Sequence, residues 1–308
     1  ESSFIDVKTA KAELFPNLSF STSHNYVNRP LIEDGSAKKN SYNGNYGLNS
    51  SWTIFNGGKN IKNVEQQKLN NRIAELGITQ NENDIEVAIT QLYVQMRYAD
   101  ESVKINESTL EVSEAQVNRA KELLAVGSIA RSDYAQLESQ YSNDKYQLVN
   151  ALATLQGYKL QLKQLLELDG EEEMVLSLPE LNDDTVLTLL PTKTDVYRMA
   201  LTFRPEIESG KLNIEAADMG IDIARAGYMP TLSLSAGIGT NHTTGSDFTF
   251  GEQVKNGWNN SIGVTISVPI FNNRQTKSAV QKAKLQYQTS KLVMQNEKET
   301  LCSTIEGN

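Results

Sequence analysis

Ala10-Lys-Ala-Glu-Leu-Phe-Pro-Asn-Leu-Ser-Phe-Ser21 recurs as Ala224-Arg-Ala-Gly-Tyr-Met-Pro-Thr-Leu-Ser-Leu-Ser235, and this repetition decides the fold. A second pair, Trp52-Thr-Ile-Phe-Asn-Gly57 and Val268-Pro-Ile-Phe-Asn-Asn273, keeps step with the first. Position 10 maps onto 224 and position 52 onto 268, offsets of 214 and 216 residues, so the copies stay in register across loops of nearly equal length. Each copy reads as a helix end, a strand pair and the start of a long helix. The chain is an internally duplicated helix–hairpin–helix unit.

Four segments alternate with a period of two, which gives a strand one apolar and one polar face. In the first, Leu18, Phe20, Thr22, His24 and Tyr26 oppose Ser19, Ser21, Ser23 and Asn25. In the second, Tyr42, Tyr46, Leu48, Trp52 and Ile54 oppose Asn43, Asn45, Asn49, Ser51 and Thr53. The third sets Leu232, Leu234, Ala236 and Ile238 against Ser233, Ser235, Gly237 and Gly239. The fourth sets Trp258, Ile262, Val264, Ile266, Val268 and Ile270 against Asn259, Ser261, Gly263, Thr265 and Ser267.

No segment carries an ionised side chain over its central ten or so residues, about the length of a tilted membrane-spanning strand. The polar faces are small and uncharged, as a wet lumen lining would be. Aromatic residues gather towards the strand ends: Tyr26, Tyr42 and Trp258 at one, Trp52, Phe55 and Phe271 at the other, where an interfacial girdle belongs. The expected lipid-facing positions are Leu18, Phe20, Tyr46, Leu48, Trp52, Leu232, Leu234, Ile262, Val264 and Ile266. The expected lumen-lining positions are Ser19, Ser21, Asn43, Asn45, Asn49, Ser51, Ser233, Ser235, Asn259, Ser261 and Thr265. An antiparallel sheet packed on a soluble domain shares the same alternation and stays open as the alternative.

Four strands cannot close a barrel, and an open edge in hydrocarbon leaves unpaired backbone groups that cost several kcal/mol each. Sister copies would close it, and three copies give twelve strands, within the size range of such barrels. The hairpin loops, Asn28–Asn40 and Asn241–Asn256, hold Gly, Pro or charged residues and belong in water.

From Lys59 to about Leu124 there is no proline. Ile89, Leu92, Met96, Ala99, Val103, Asn106, Leu110, Ser113, Val117, Ala120 and Leu124 step by three and four, which is a heptad seam. At about 1.5 Å per residue such a helix runs on the order of 100 Å and needs a neighbour along its length. The chain turns at 125–133, where Gly127 suits a helix C-cap and Ser132 or Asp133 the next N-cap. The return helix repeats the seam with Tyr134, Leu137, Tyr141, Asp144, Leu148, Ala151, Leu155, Tyr158, Leu162 and Leu165. An antiparallel coiled-coil hairpin is expected, with the return helix and a later one stacked end to end beside the first.

The expected divisions are a helix end and first hairpin over 1–58, the coiled-coil hairpin over 59–168, and an acidic crossing over 169–204 broken by Pro179 and Pro191. A helix over 205–229, a second hairpin over 230–272 and the start of a second long helix over 273–308 follow. Within the crossing a short helix is expected from Thr194 to Phe203, and Pro205 suits the first position of the next. By the repeat, a second coiled-coil tip is expected beyond residue 308 and a helix before residue 1.

The sequence resembles the TolC family of outer-membrane efflux proteins over nearly its whole length. The residues that carry the resemblance are Ala12-Glu-Leu-Phe-Pro-Asn-Leu18, Trp52-Thr-Ile-Phe-Asn-Gly-Gly58 and Arg119–Asp133 with Gly127 and Asp133. They continue with Ala200-Leu-Thr-Phe-Arg-Pro-Glu206, Ala224–Pro230 and Val268-Pro-Ile-Phe-Asn272. The resemblance implies a homotrimer with a twelve-stranded β-barrel in the outer membrane of a Gram-negative bacterium and an α-helical barrel reaching through the periplasm. It also implies the role of exit duct in a tripartite efflux pump or type I secretion system. Such a duct is passive, gated at its coiled-coil tips, docked by a periplasmic adaptor (membrane fusion) protein and energised by an inner-membrane transporter of the RND or ABC class. The tip Gly127, Ser128, Ile129, Ala130, Arg131, Ser132 and Asp133 is then the adaptor-docking surface; as a turn with its caps alone, the same residues need no partner.

The remaining chemistry is sparse. A formal charge of −9 over 308 residues, with Lys and Arg scattered, argues against nucleic acid. Mean hydropathy is −0.44, and no run approaches the roughly 18 apolar residues of a spanning helix. The single Cys302 excludes an internal disulfide. His24 reads as a strand residue and His242 as a loop residue, both ordinary polar positions without a cluster at metal-ligand spacing. No catalytic, cofactor-binding or metal residue is expected. Two competitors to the duct remain: a soluble periplasmic coiled-coil spacer without channel activity, and an outer-membrane enzyme, which no Ser/His/Asp arrangement supports.

Overall fold

The computed structural model describes residues 1–30, 40–168 and 191–307. The loop expected between Asn28 and Asn40 and the acidic crossing fall, over 31–39 and 169–190, outside the described residues. The strands are β1 (Asn17–Asn28), β2 (Asn40–Asn56), β3 (Thr231–Thr243) and β4 (Asn259–Ser267). The helices are α1 (Ser2–Ala12), α2 (Lys59–Ala125), α3 (Arg131–Leu165), α4 (Lys193–Phe203), α5 (Pro205–Arg225), α6 (Phe250–Asn256) and α7 (Gln275–Gly307), with a 3-10 turn at Ala226–Tyr228. Among the described residues, no helix is long and apolar enough to cross a membrane. The chain divides into two compact units, Glu1–Ile78 with Thr192–Asn308, and Thr79–Pro191.

In the first unit the four strands form one antiparallel sheet in the order β1-β2-β3-β4. The two hairpins of the duplication join through β2 and β3, whose partners include Leu48↔Ile238 and Trp52↔Leu234. A β-bulge between Thr53 and Phe55 corrects one expectation: Phe55, not Ile54, stands opposite Leu232 on the apolar face. The second loop is also shorter than 241–256. β3 runs on to Thr243, and Phe250–Asn256 is helical, started by a capping box in which Thr249 and Glu252 bond each other's backbone N–H.

Both copies leave the sheet in the same way. Gly57 and Gly58 take φ of 70° and 79°, and Asn273 and Arg274, their counterparts 216 residues later, take 49° and 63°. This left-handed pair turns each strand into its long helix. Asn56 then donates to Asn60, and Asn272 to Thr276, so each helix start is held by the same side-chain contact. Gly57 is also where the copies touch, since a Cβ there would stand 2.7 Å from Met229 Cβ.

Beneath the sheet, α5 packs along α7. Ile207, Met294 and Leu301 form the buried cluster, and Tyr197, Ala200, Leu201, Ile214 and Ile305 lean on it. Pro205 opens α5, where its missing N–H costs nothing, and Arg204 pairs with Glu206 at 2.8 Å. The helices approach at Gly210, whose Cβ would meet Met294 Sδ at 2.4 Å and Glu297 Oε2 at 2.9 Å. At the start of α2, Gln66 Nε2 donates to the Ala216 carbonyl at 2.7 Å, and Arg72 pairs with Glu208 at 3.6 Å.

The second unit is the helical hairpin. Ala99, Val103 and Leu155 are its buried centre, flanked by Leu148, Ala151 and Tyr158. Every seam position named above from Ile89 to Leu165 is buried or half-buried, and Met96 is 0% exposed. The seam is not purely apolar: Ser113 and Asp144 are buried in it, with Gln140 Nε2 donating to Asp144 Oδ1 at 2.8 Å.

Glu297 yields a pH prediction. Its Oε2 is shielded from solvent and has no hydrogen-bond partner among the described residues. Burial first, and Glu206 second, push its carboxyl above the ordinary value of 4.5. The folded state therefore holds this proton more tightly than the unfolded chain, so the stability it lends is complete below about pH 4.5 and is lost as pH rises through the raised folded value. Glu297→Gln should melt higher than the parent at pH 7.5, with the gap closing towards pH 4.5 in thermal unfolding followed by circular dichroism.

Candidate channel wall and helical tip

Cross-strand pairing sorts the sheet into two surfaces. Pairs stand on the same face, so Leu18, Ser50, Ala236 and Ile262 form one row, and Trp52, Leu234 and Val264 the next. Phe20, Leu48 and Ile238 make a third, and Phe55, Leu232 and Ile266 a fourth. Tyr46 stands between Thr22 and Thr240 on this face. All ten positions expected to face lipid share it, and Ile262 is 79% exposed.

The opposite surface holds all eleven positions expected to line a lumen. Ser19, Asn49, Gly237 and Ser261 form one row; Asn17, Ser51, Ser235 and Gly263 another. Asn43 and Asn45 lie further along, Thr53, Ser233 and Thr265 share a row, and Asn259 pairs with Gly239. The amides bond along this surface rather than into a core: Asn49 Nδ2 donates to Ser21 Oγ at 3.1 Å, Asn45 Nδ2 to Ser23 Oγ at 3.2 Å, and Ser51 Oγ to Asn17 Oδ1 at 2.9 Å. A shallow groove of about 310 Å³ runs over Asn17, Ser19, Asn49, Ser51, Ser235 and Ser261. No Asp, Glu, Lys or Arg stands in any of the four strands. The surface thus offers hydrogen-bonding groups and no formal charge.

At the sheet's helical end, Trp52 Nε1 donates to the Leu14 carbonyl at 2.8 Å, tying together the two sequence motifs of the first copy. Sequence reasoning placed Trp52 in an aromatic girdle and missed this bond; a tryptophan needing a partner for its N–H was the available signal.

The tip is a Schellman turn. Ser128 N–H donates to the Leu123 carbonyl at 2.8 Å and Gly127 N–H to Leu124 at 3.0 Å, with Gly127 at φ 74°. Helix α3 then starts at Arg131 with Ala130 as N-cap, which corrects the expected cap at Ser132 or Asp133. Asp133 sits inside the first turn, where its charge complements the helix dipole. Ser132 Oγ is spent on the Asp133 carboxylate at 3.2 Å. Gly127, Ser128, Ala130, Arg131, Ser132 and Asp133 are exposed, and Ile129 is half-buried.

The sheet and the long helical hairpin together can be compared with known proteins. The family described as outer membrane efflux protein matches residues 1–167 and 196–306. The chain belongs to that family. Among its relatives is the protease secretion protein PrtF of Dickeya chrysanthemi, 19% identical over 95% of this chain and 63% of PrtF. Another is the outer membrane efflux protein BepC of Brucella suis, 23% identical over 79% of this chain and 51% of BepC. The solved structure of CusC superposes with a TM-score of 0.78 at 19% identity, over 99% of this chain and 68% of CusC. The chain therefore spans between about half and two thirds of the length of these curated relatives. Family membership makes it an outer-membrane protein of a Gram-negative bacterium.

The tip geometry predicts opposite signs for one substitution at two glycines. A Cβ on Gly127 or on Gly77 meets nothing within 4 Å, so sterics are equal. Gly127→Ala must hold a left-handed backbone and should cost about 1–2 kcal/mol, with faster amide exchange at Gly127 and Ser128. Gly77→Ala, inside α2, should stabilise by about 0.5–1 kcal/mol, read as a higher melting temperature.

Proposed function

We propose that this chain is the channel-forming component of an outer-membrane exit duct, assembled as a homotrimer with a twelve-stranded barrel. One observation carries the reading: a four-stranded, two-faced sheet whose outer strands β1 and β4 each have an edge unpaired among the described residues. In hydrocarbon those edges must find partners, and the β1 edge of one copy accepting the β4 edge of the next, three times over, removes all of them.

The helices support the same assembly. Tyr98, Ile105 and Val112 stand one heptad apart on α2 and are exposed, although the seam residues beside them are covered. A second apolar stripe on a coiled-coil helix suits a second neighbour, here another copy of the hairpin.

The uncharged polar face would line a water-filled, passive path, and the driving force would come from an inner-membrane RND or ABC transporter. The tip Gly127–Asp133 would meet a periplasmic adaptor, with Arg131 and Asp133 supplying charge, and splaying of such tips would open the duct by a population shift. Relatives named for protease secretion and for efflux support a conduit whose cargo is set by the transporter rather than by its own wall.

The intact protein, purified in detergent, should run as a trimer by light scattering and give ohmic single-channel conductance in planar bilayers. Val264→Lys, on the face assigned to lipid, should destabilise the assembly by about 2–4 kcal/mol. Thr265→Lys, the next residue on the opposite face, should leave the trimer standing and shift ion selectivity towards anions. A detergent-independent monomer that tolerates Lys at 264 as readily as at 265 would end this reading.

A further inference from the structure

The only two histidines of the chain, at positions 24 and 242, meet across one glycine. His24 on β1 and His242 on β3 are both cross-strand partners of Gly44 on β2, so all three belong to the apolar face of the sheet. His242 therefore stands in a strand, which corrects the expectation of a loop residue. Gly44 itself is buried although it has no side chain, because the two rings lean over it. A Cβ built on Gly44 would stand 2.6 Å from His242 Nδ1 and 3.1 Å from His24 Nδ1. Both nitrogens thus border the notch that the glycine leaves.

The surroundings hold the rings in place. His24 stacks on Tyr42 with ring centroids 5.8 Å apart. His242 stacks on Tyr46 at 5.9 Å and takes Phe250 of α6 edge-on at 4.9 Å. One neutral tautomer of His24 satisfies both its contacts: Nε2–H donates to Thr22 Oγ1 at 3.1 Å, and Nδ1 accepts from the Tyr42 hydroxyl at 2.8 Å. That tautomer leaves Nδ1 unprotonated beside the notch; a cation there would take over the lone pair that otherwise accepts from Tyr42, whose hydroxyl hydrogen turns away so that its oxygen can donate in turn. His242 Nδ1, on the other side, is shielded from solvent and has no hydrogen-bond partner among the described residues. A shielded ring nitrogen without a partner calls for an explanation, and an ion is one of the few available.

We propose that this notch binds a divalent transition-metal cation, with His24 Nδ1 and His242 Nδ1 as ligands and the Tyr42 hydroxyl as a third, oxygen donor. Imidazole nitrogens select Zn²⁺, Cu²⁺ or Ni²⁺ over Mg²⁺ and Ca²⁺, which prefer all-oxygen cages. The Thr22 hydroxyl acts as the partner that orients His24, as ligand histidines require of their second nitrogen. Glu252 of α6 supplies no ligand, because its carboxylate is engaged by Thr249. Among the described residues no cluster of three or more His, Cys, Asp or Glu competes for the metal. Water completes the coordination. The cation would clamp β1 to β3 across β2, joining the two copies of the duplication at the loop end of the sheet. It depends only on strand register, so it stands or falls separately from the duct.

The test uses the intact protein without a polyhistidine tag, titrated with ZnCl2 by calorimetry and with CuCl2 by electron paramagnetic resonance. One cation should bind per chain, the Cu²⁺ spectrum should show coupling to two imidazole nitrogens, and Zn²⁺ should raise the melting temperature. His24→Ala and His242→Ala should each weaken binding about tenfold or more. Gly44→Ala keeps both imidazoles but puts a methyl 2.2 Å from His242 Cε1, and should weaken binding as much. Should that variant lose its sheet by circular dichroism, the His24→Ala/His242→Ala double variant decides alone. Absence of stoichiometric binding to the parent, or binding by the double variant as tight as the parent's, overturns the proposal.

Discussion

The structure depends on one register, that of β2 against β3. The two hairpins belong to copies more than 200 residues apart in the chain, and this ladder is what joins them into one sheet. Pairing Leu48 with Ile238 and Asn49 with Gly237 brings the large apolar positions of both copies, among them Leu18, Phe20, Trp52, Leu234 and Val264, onto one surface, and Ser19, Asn49, Ser51, Ser235 and Ser261 onto the other. A slip of one residue would interleave them, because side chains alternate strictly along a strand. The bulge at Ile54 is placed where the strands have left this region and the chain prepares to turn into α2.

The turn into the long helices shows how duplication survives divergence. The first copy solves it with Gly57-Gly58, the residues best able to hold a left-handed backbone, and the second with Asn273-Arg274. Backbone conformation is kept although only asparagine among the replacements tolerates it well. The second copy shares the side-chain contact at the helix start, Asn272 to Thr276, and Thr276 Oγ1 also donates to the Gly227 carbonyl at 3.3 Å, which fixes the start of α7 against the turn after α5.

Most of this was legible from residue patterns with strong periods. The seam from Ile89 to Leu165 follows a heptad, and the strand faces follow a period of two; both patterns survive because neither face of these elements can be exchanged without exposing the wrong chemistry. The failures came where a local choice competes with a neighbour. Ser132 and Asp133 look like helix caps, yet Ser132 bonds to Asp133 and the cap falls two residues before Ser132, at Ala130. His242 follows a run of glycine and polar residues that reads as a loop, but the ladder to Gly44 and the packing of Phe250 extend the strand through it. Glu297 gave no signal at all, since its burial comes from the close approach of α5 at Gly210.

By itself, the sequence determined the duplication, the two-faced strands, the paired long helices and the glycine at the tip, because each is written as a spacing between residues near one another in the chain. Tertiary structure alone decided which residues of one copy stand beside which of the other. That is why His24 and His242, two isolated polar positions in a linear reading, become neighbours over Gly44 once three strands are hydrogen-bonded side by side. Periodicity is a local property of a chain, whereas a site built across strands exists only when their ladder has closed.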